Sequence, residues 1–178
     1  MNVANLITSL RIVIAPVYLW ALYTYFQAGQ DFNWILLLGF IVVAASDGVD
    51  GAIARKKGIV TKLGKTLDPI ADKVLIGGAF IVLSLIEPEL VPWWVTIAIL
   101  VREIGITVYR LIVIKDKVIP AGASGKSKTI MQCIAIGWFI SPWGFQYSQW
   151  QFNIGFGLLY GAVFLTWWSA LKLIRESR

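Results

Sequence analysis

Ser46-Asp47-Gly48-Val49-Asp50-Gly51-Ala52-Ile53-Ala54-Arg55 closes an apolar run that begins at Asn33, and a further apolar run opens at Ile70, between Asp68 and Asp72. A run of about 20 apolar residues is what a bilayer-spanning helix needs. Outward from this junction, comparable segments fall at Leu6 to Phe26, Val91 to Ile114, Ser127 to Phe145 and Gln151 to Ile174, beside Asn33 to Ala54 and Ile70 to Ile86. The expected fold is therefore all-α: a polytopic membrane protein with six transmembrane helices, formed as a single domain over residues 1–178. An even number of spans puts both termini on one side.

The composition agrees with that reading. Of 178 residues 58% are hydrophobic, and the mean hydropathy of +0.73 is far above that of an ordinary soluble protein. Charges sit where helices end. Arg55, Lys56, Lys57, Lys62, Lys65 and Lys73 flank one connection, and Arg110, Lys115, Lys117, Lys126 and Lys128 another. The alternate connections carry no basic residue: Asp31 lies in the first, Glu87 and Glu89 in the second, and no charge in Gln146 to Trp150. Basic loops stay on the inner side, so both termini and the 46–72 junction are expected to face the cytoplasm. Trp34, Trp93, Trp94, Trp143 and Trp150 then fall at outer helix ends, where indoles anchor at headgroup level. Met1 to Ser9 lack a basic leader and Arg11 interrupts the run that follows, so a retained first helix is expected, with Arg11 either snorkelling or functional.

These facts exclude several classes of function. The net charge of +6 reflects loop lysines and arginines at a membrane surface, so anionic lipid headgroups are the expected partner and nucleic acid is not. With no histidine in the chain, Ser-His-Asp and Cys-His catalysis and helical H-E-x-x-H zinc sites are all ruled out. The lone Cys133 can form no internal disulfide and reads as a small buried hydrophobe. Chemistry here must run on carboxylates, amines, hydroxyls and metals.

The carboxylates are where they are costly. An Asp at the centre of a spanning helix costs about 2.5 to 3.5 kcal/mol on insertion scales, so four near one junction need a compensating cation or a task. Asp47 and Asp50 are spaced i, i+3 and Asp68 and Asp72 i, i+4, so each pair shares one helical face. If the two helices are neighbours, the four converge on a hard-oxygen site suited to Mg²⁺ or Mn²⁺, and two such ions would clamp phosphoryl oxygens. Gly48, Gly51, Ala52, Ala54 and Gly64 leave room for a polyphosphate or a neighbouring helix, and Arg55 and Thr61 could add phosphate contacts. The bland alternative pairs the acids with Arg55, Lys56, Lys62, Lys65 and Lys73, but surface pairs need neither this register nor the interleaved small residues. The glycines by themselves could equally serve helix packing.

The run Asp47-x-x-Asp50-Gly51-x-x-Ala54-Arg55, eight residues, then Gly64-x-x-x-Asp68-x-x-x-Asp72 resembles the signature of the CDP-alcohol phosphatidyltransferase family. The resemblance implies a six-helix membrane domain that forms a homodimer, in which Asp47, Asp50, Asp68 and Asp72 bind two divalent ions holding the pyrophosphate of a CDP-linked lipid. It also makes Asp72 the general base and puts Gly51, Arg55, Thr61 and Gly64 against that lipid's nucleotide or phosphates. Val101-Arg102-Glu103-Ile104 with Arg110, and Ser124-Gly125-Lys126 with Lys128, Thr129 and Gln132, resemble the branch of the family that uses glycerol 3-phosphate as acceptor. Asn5 to Arg11 resembles the start of the same proteins, with Ala4 where they often carry proline, which adds Asn5 and Thr8 to the CDP-lipid residues.

Expected substrates are thus CDP-diacylglycerol and glycerol 3-phosphate, and the expected location is the bacterial plasma (inner) membrane with the site facing the cytoplasm. The acceptor phosphate is assigned to Arg102, Arg110 and Lys126, basic groups on the side of the acidic junction. Adjacent residues on a helix point about 100° apart, so Arg102 and Glu103 are expected to find partners other than each other. Inositol phosphate, phosphatidylglycerol or serine as acceptor would use the same metal site. A divalent-cation transporter would instead distribute acids along a pore, whereas these gather at one membrane face. A non-catalytic scaffold would leave their spacing unexplained.

Overall fold

A computed structural model describes residues 3–29, 34–56, 62–113, 123–143 and 148–177, with side chains for 10–29, 34–46, 73–109, 112, 125–143 and 148–177. Among the described residues there are six helices and no strand: α1 (Val3–Gln27), α2 (Trp34–Lys56), α3 (Lys62–Ile86), α4 (Trp93–Val113), α5 (Ala123–Ile140) and α6 (Gln149–Ser177). The all-α reading and the order of the elements hold. Two boundaries differ. Helix α3 starts eight residues before the apolar run at Ile70, because hydropathy marks only the apolar part while Lys62, Leu63, Lys65 and Leu67 are good helix formers. Helix α5 starts at Ala123 and stops at Ile140, short of the expected Phe145. Pro142 disfavours helix at Ser141, whose hydroxyl donates to the Trp138 carbonyl at 2.6 Å and accepts from the Trp143 amide at 3.3 Å, ending the helix there.

Helix α1 packs on α3 and α2, α5 on α6, and α4 on both α3 and α6, while α2 meets α3 and α5. Their shared core contains Leu22, Phe40, Phe80, Leu83, Val95, Ile99, Ile136, Phe139 and Leu159, drawn from every helix. Fully burying one such side chain contributes about 1.5 to 3 kcal/mol. Where α1 meets α3, a Cβ on Gly78 would lie 2.3 Å from Leu19 Cδ1, so a larger residue there must displace the Leu19 side chain. Hydroxyls tie other pairs together. Tyr18 donates to the Leu36 carbonyl at 2.8 Å, joining α1 to α2. Ser84 and Thr96 share a hydrogen bond of 2.7 Å, and Thr96 also donates to the Phe80 carbonyl at 3.3 Å, joining α3 to α4.

The outside of the bundle is apolar. Val13, Val17 and Trp20 on α1, Ile35, Leu38 and Val42 on α2, Ile97, Val101, Ile104 and Ile112 on α4, Ile130 and Ile134 on α5, and Phe164, Trp168 and Leu171 on α6 are all exposed. One helix among the described residues, Gln149–Ser177, is long and apolar enough to cross a membrane by length and composition, and Trp34–Ser46 and Lys73–Ile86 are shorter apolar stretches. Trp34, which opens α2, stands edge-on to Trp143 beyond the end of α5, with ring centroids 5.1 Å apart.

Candidate active site

The junction that opened the sequence reading lies on two neighbouring helices. Asp47, Asp50, Gly51 and Arg55 belong to α2, Gly64, Asp68 and Asp72 to α3, and these helices pack on each other and on α1, which carries Asn5 and Thr8 near its start. At 1.5 Å rise per residue, positions 47 and 50, like 68 and 72, stand about one turn apart. The side chains of Asn5, Thr8, Asp47, Asp50, Arg55, Asp68, Asp72 and Arg110 lie outside the described part, as does all of Thr61. Among the described residues no three His, Cys, Asp or Glu side chains come together as a metal site would require. The four aspartates carry hard carboxylate oxygens of the kind a divalent cation takes, in two pairs on packed helices.

Described side chains border this junction on both flanks. From α1, Arg11 is only 3% exposed and turns inward, its Nε donating at 3.1 Å to the hydroxyl of Ser46, the residue before Asp47. Ser46 in turn donates to the Val43 carbonyl at 2.7 Å. A serine at this place thus ties the first helix to the acidic end of the second. Beyond Asp72, Lys73 lines a cavity of about 40 Å³ where α3, α4 and α5 meet, together with Ile76, Gly77, Ile99, Leu100, Glu103, Ile104 and Gln132.

Around that cavity runs a circuit of polar groups through α4, α5 and α6. Glu103 Oε1 accepts from Arg102 Nη1 at 2.9 Å and from Lys128 Nζ on α5. Arg102 Nη2 donates to Ser169 Oγ on α6, and Ser169 Oγ donates to the Thr166 carbonyl at 3.0 Å. Thr166 Oγ1 accepts from Gln132 Nε2 at 2.9 Å, and Gln132 stands one turn from Lys128 on α5. Arg102, at 6% exposure, is thus an interior group. Contrary to expectation, Arg102 and Glu103 do pair with each other: the long guanidinium stem bridges the angle between adjacent positions, and each residue also holds a partner on another helix. Lys126 stands apart, exposed on α5.

Of the residues assigned to the acceptor phosphate, Arg102 is therefore inside the circuit, Lys126 is open to solvent, and the side chain of Arg110 is outside the described part. Thr166, Ser169 and Lys73 formed no part of the expected site, and Gln132 entered only as the end of the stretch that resembles the glycerol 3-phosphate branch. The signal that could have found them is a polar residue in the middle of an apolar segment, since such a group seeks a partner across helices.

The pattern of the CDP-alcohol phosphatidyltransferase family matches residues 1–168. The chain belongs to this family of enzymes, as its Asp-x-x-Asp signature implies. Among its relatives, a Mycobacterium tuberculosis protein named probable phosphatidylglycerophosphate synthase is 46% identical over 144 residues, 79% of this chain and 66% of the relative. A Bacillus subtilis protein named CDP-diacylglycerol--glycerol-3-phosphate 3-phosphatidyltransferase is 37% identical over 145 residues, 76% of this chain and 74% of the relative. A Salmonella typhimurium protein of the same name is 30% identical over 186 residues, 99% of this chain and 95% of the relative. The matched part spans a little under two thirds of the mycobacterial relative's own length.

Proposed function

We propose that this protein transfers the phosphatidyl group of CDP-diacylglycerol to glycerol 3-phosphate, releasing CMP and phosphatidylglycerophosphate. The observation that carries the reading is the four-aspartate signature on packed helices α2 and α3, in a chain 46%, 37% and 30% identical to relatives whose names state this product or this reaction.

In the proposed reaction Asp47, Asp50, Asp68 and Asp72 would hold two divalent ions. Bound Mg²⁺ or Mn²⁺ would supply charge neutralisation for the pyrophosphate and the departing CMP. Asp72 takes the proton from a glycerol 3-phosphate hydroxyl as its oxygen bonds to the lipid-side phosphorus. The bond from that phosphorus to the CMP oxygen breaks, and CMP leaves with the electron pair. Gly51, Gly64, Arg55, Thr61, Asn5 and Thr8 receive the CDP-lipid, and Arg102, Arg110 and Lys126 the acceptor phosphate.

A lipid substrate calls for a lipid setting. The exposed valines, isoleucines, leucines and tryptophans on the helix exteriors support six spans through a bacterial plasma membrane, because water would oppose so much apolar surface. The basic connections support a cytoplasmic side for both termini and the catalytic junction. The core shared by all the helices supports one domain over the whole chain, and a homodimer is the proposed assembly.

The test is CMP release by purified protein given CDP-diacylglycerol, Mg²⁺ and, in parallel, glycerol 3-phosphate, inositol phosphate, serine or phosphatidylglycerol. Release with glycerol 3-phosphate alone is expected, with loss in chelator and recovery on adding Mg²⁺ or Mn²⁺. Release with another acceptor alone would overturn the acceptor assignment, and full release in chelator would overturn the metal clamp.

A further inference from the structure

Glu103 is the point where three helices are pinned: its carboxylate binds Lys128 of α5 directly, and through Arg102 it reaches Ser169 of α6. It also faces the cavity that Lys73 of α3 lines, one residue past Asp72. Helix α5 begins at Ala123, so Lys126 and Lys128 both lie in its opening turns, where a helix has few backbone bonds to hold it. Two positions along a helix are about 200° apart, so whatever fixes Lys128 also fixes the direction of Lys126. With Lys128 turned in against Glu103, Lys126 is exposed. A long Lys side chain has no geometric preference of its own and gains one only from its partner.

We propose that Glu103 is a positioning residue for the anionic acceptor: by latching Lys128 it sets the rotation of the start of α5 and presents the Lys126 ammonium to the acceptor's phosphate. The proposal rests on the reaction proposed above. Glu103 itself touches no substrate in this scheme and acts through Lys128, with Arg102 bracing its carboxylate from the other side.

The experiment compares the unmutated protein with Glu103→Gln, Lys128→Met, the double variant and Glu103→Asp, measuring KM for glycerol 3-phosphate and for CDP-diacylglycerol together with the unfolding midpoint in detergent. Losing a charged hydrogen bond is expected to raise the glycerol 3-phosphate KM about tenfold or more in each single variant, and to change the CDP-diacylglycerol KM less than about twofold. The double variant should be no worse than either single one, and Glu103→Asp should recover most of the affinity. Equal rises in both KM values, additive single effects, or a fall in the unfolding midpoint with both KM values unchanged would overturn the proposal. If the unmutated protein releases no CMP with glycerol 3-phosphate, the reaction reading fails and the acceptor role fails with it. The latch is then judged on the unfolding midpoints, where additive shifts for Glu103→Gln and Lys128→Met would remove it as well.

Discussion

Two polar regions of the molecule, the aspartate run of α2 and α3 and the circuit of α4, α5 and α6, carry information in opposite ways. At the α2/α3 junction the residue types are few and their spacing short, so the chemistry can be read along the chain: four aspartates with gaps of three and four. In the α4, α5 and α6 circuit the residue types are ordinary and the partners distant; Arg102 meets Ser169 67 positions away and Gln132 meets Thr166 34 away. A site that must grip a ligand is written in local register. A site that must hold helices together is written in packing.

The sharpest way to break this comparison is to change charge without shape at the junction. Asp72→Asn should cut CMP release by about 10² to 10⁴, the usual worth of a positioned general base, while leaving the unfolding midpoint unchanged or raised. A near-normal rate would remove Asp72 from the chemistry. The circuit should respond in the other currency: Arg102→Met leaves Glu103 with one cation fewer in the interior and should cost about 3 kcal/mol of stability, read by denaturation in detergent. An unchanged midpoint would remove the Arg102–Glu103 pair as a contributor to stability.

Smaller effects sharpen the contrast. Gly78→Val drives a side chain into Leu19 where α1 meets α3 and should destabilise by about 1 to 3 kcal/mol. Lys126→Ala should raise the glycerol 3-phosphate KM about tenfold with little change for CDP-diacylglycerol or in stability, and equal changes in both KM values would argue against an acceptor role. The smallest effect lies outside the helices. Glu87, in the turn after α3, has its carboxyl pushed above the usual carboxylate range by partial burial and then by the neighbouring Glu89. A raised folded value means the folded chain holds that proton more tightly, so this contribution is present in acid and is lost as pH rises through the folded value. Glu87→Gln should therefore flatten part of the pH dependence of the unfolding midpoint between about pH 4 and neutrality, and an unchanged profile would assign that dependence elsewhere.

The same contrast explains what sequence reading reached. Helix number and order were legible because apolar length is a one-dimensional property, as was the family, because its signature fits inside residues 47–72. The start of α3 was missed because a charged helical turn leaves no hydropathy mark, and the end of α5 because Pro142 acts inside an apolar run. The inward turn of Arg11 toward Ser46 could not be read, since snorkelling and burial begin from the same sequence and are separated only by a neighbour 35 positions away. The pairing of Arg102 with Glu103 was expected not to form because helix geometry alone separates adjacent side chains. Once Ser169 and Lys128 hold the far sides, the two heads meet.

That arrangement bears on how the chain is made. In the six-span arrangement proposed above, α4 is made before α5 and α6, and Ser169 follows Arg102 by 67 residues. Until then Arg102 lacks Ser169 and Glu103 lacks Lys128, the partners on other helices that bring their two heads together. Synthesis of α5 brings Lys128 and synthesis of α6 brings Ser169, so the last helix to enter is the one that closes the circuit. A chain that stopped before α6 would therefore hold the charges of Arg102, Glu103 and Lys128 and lack only the neutral Ser169 hydroxyl.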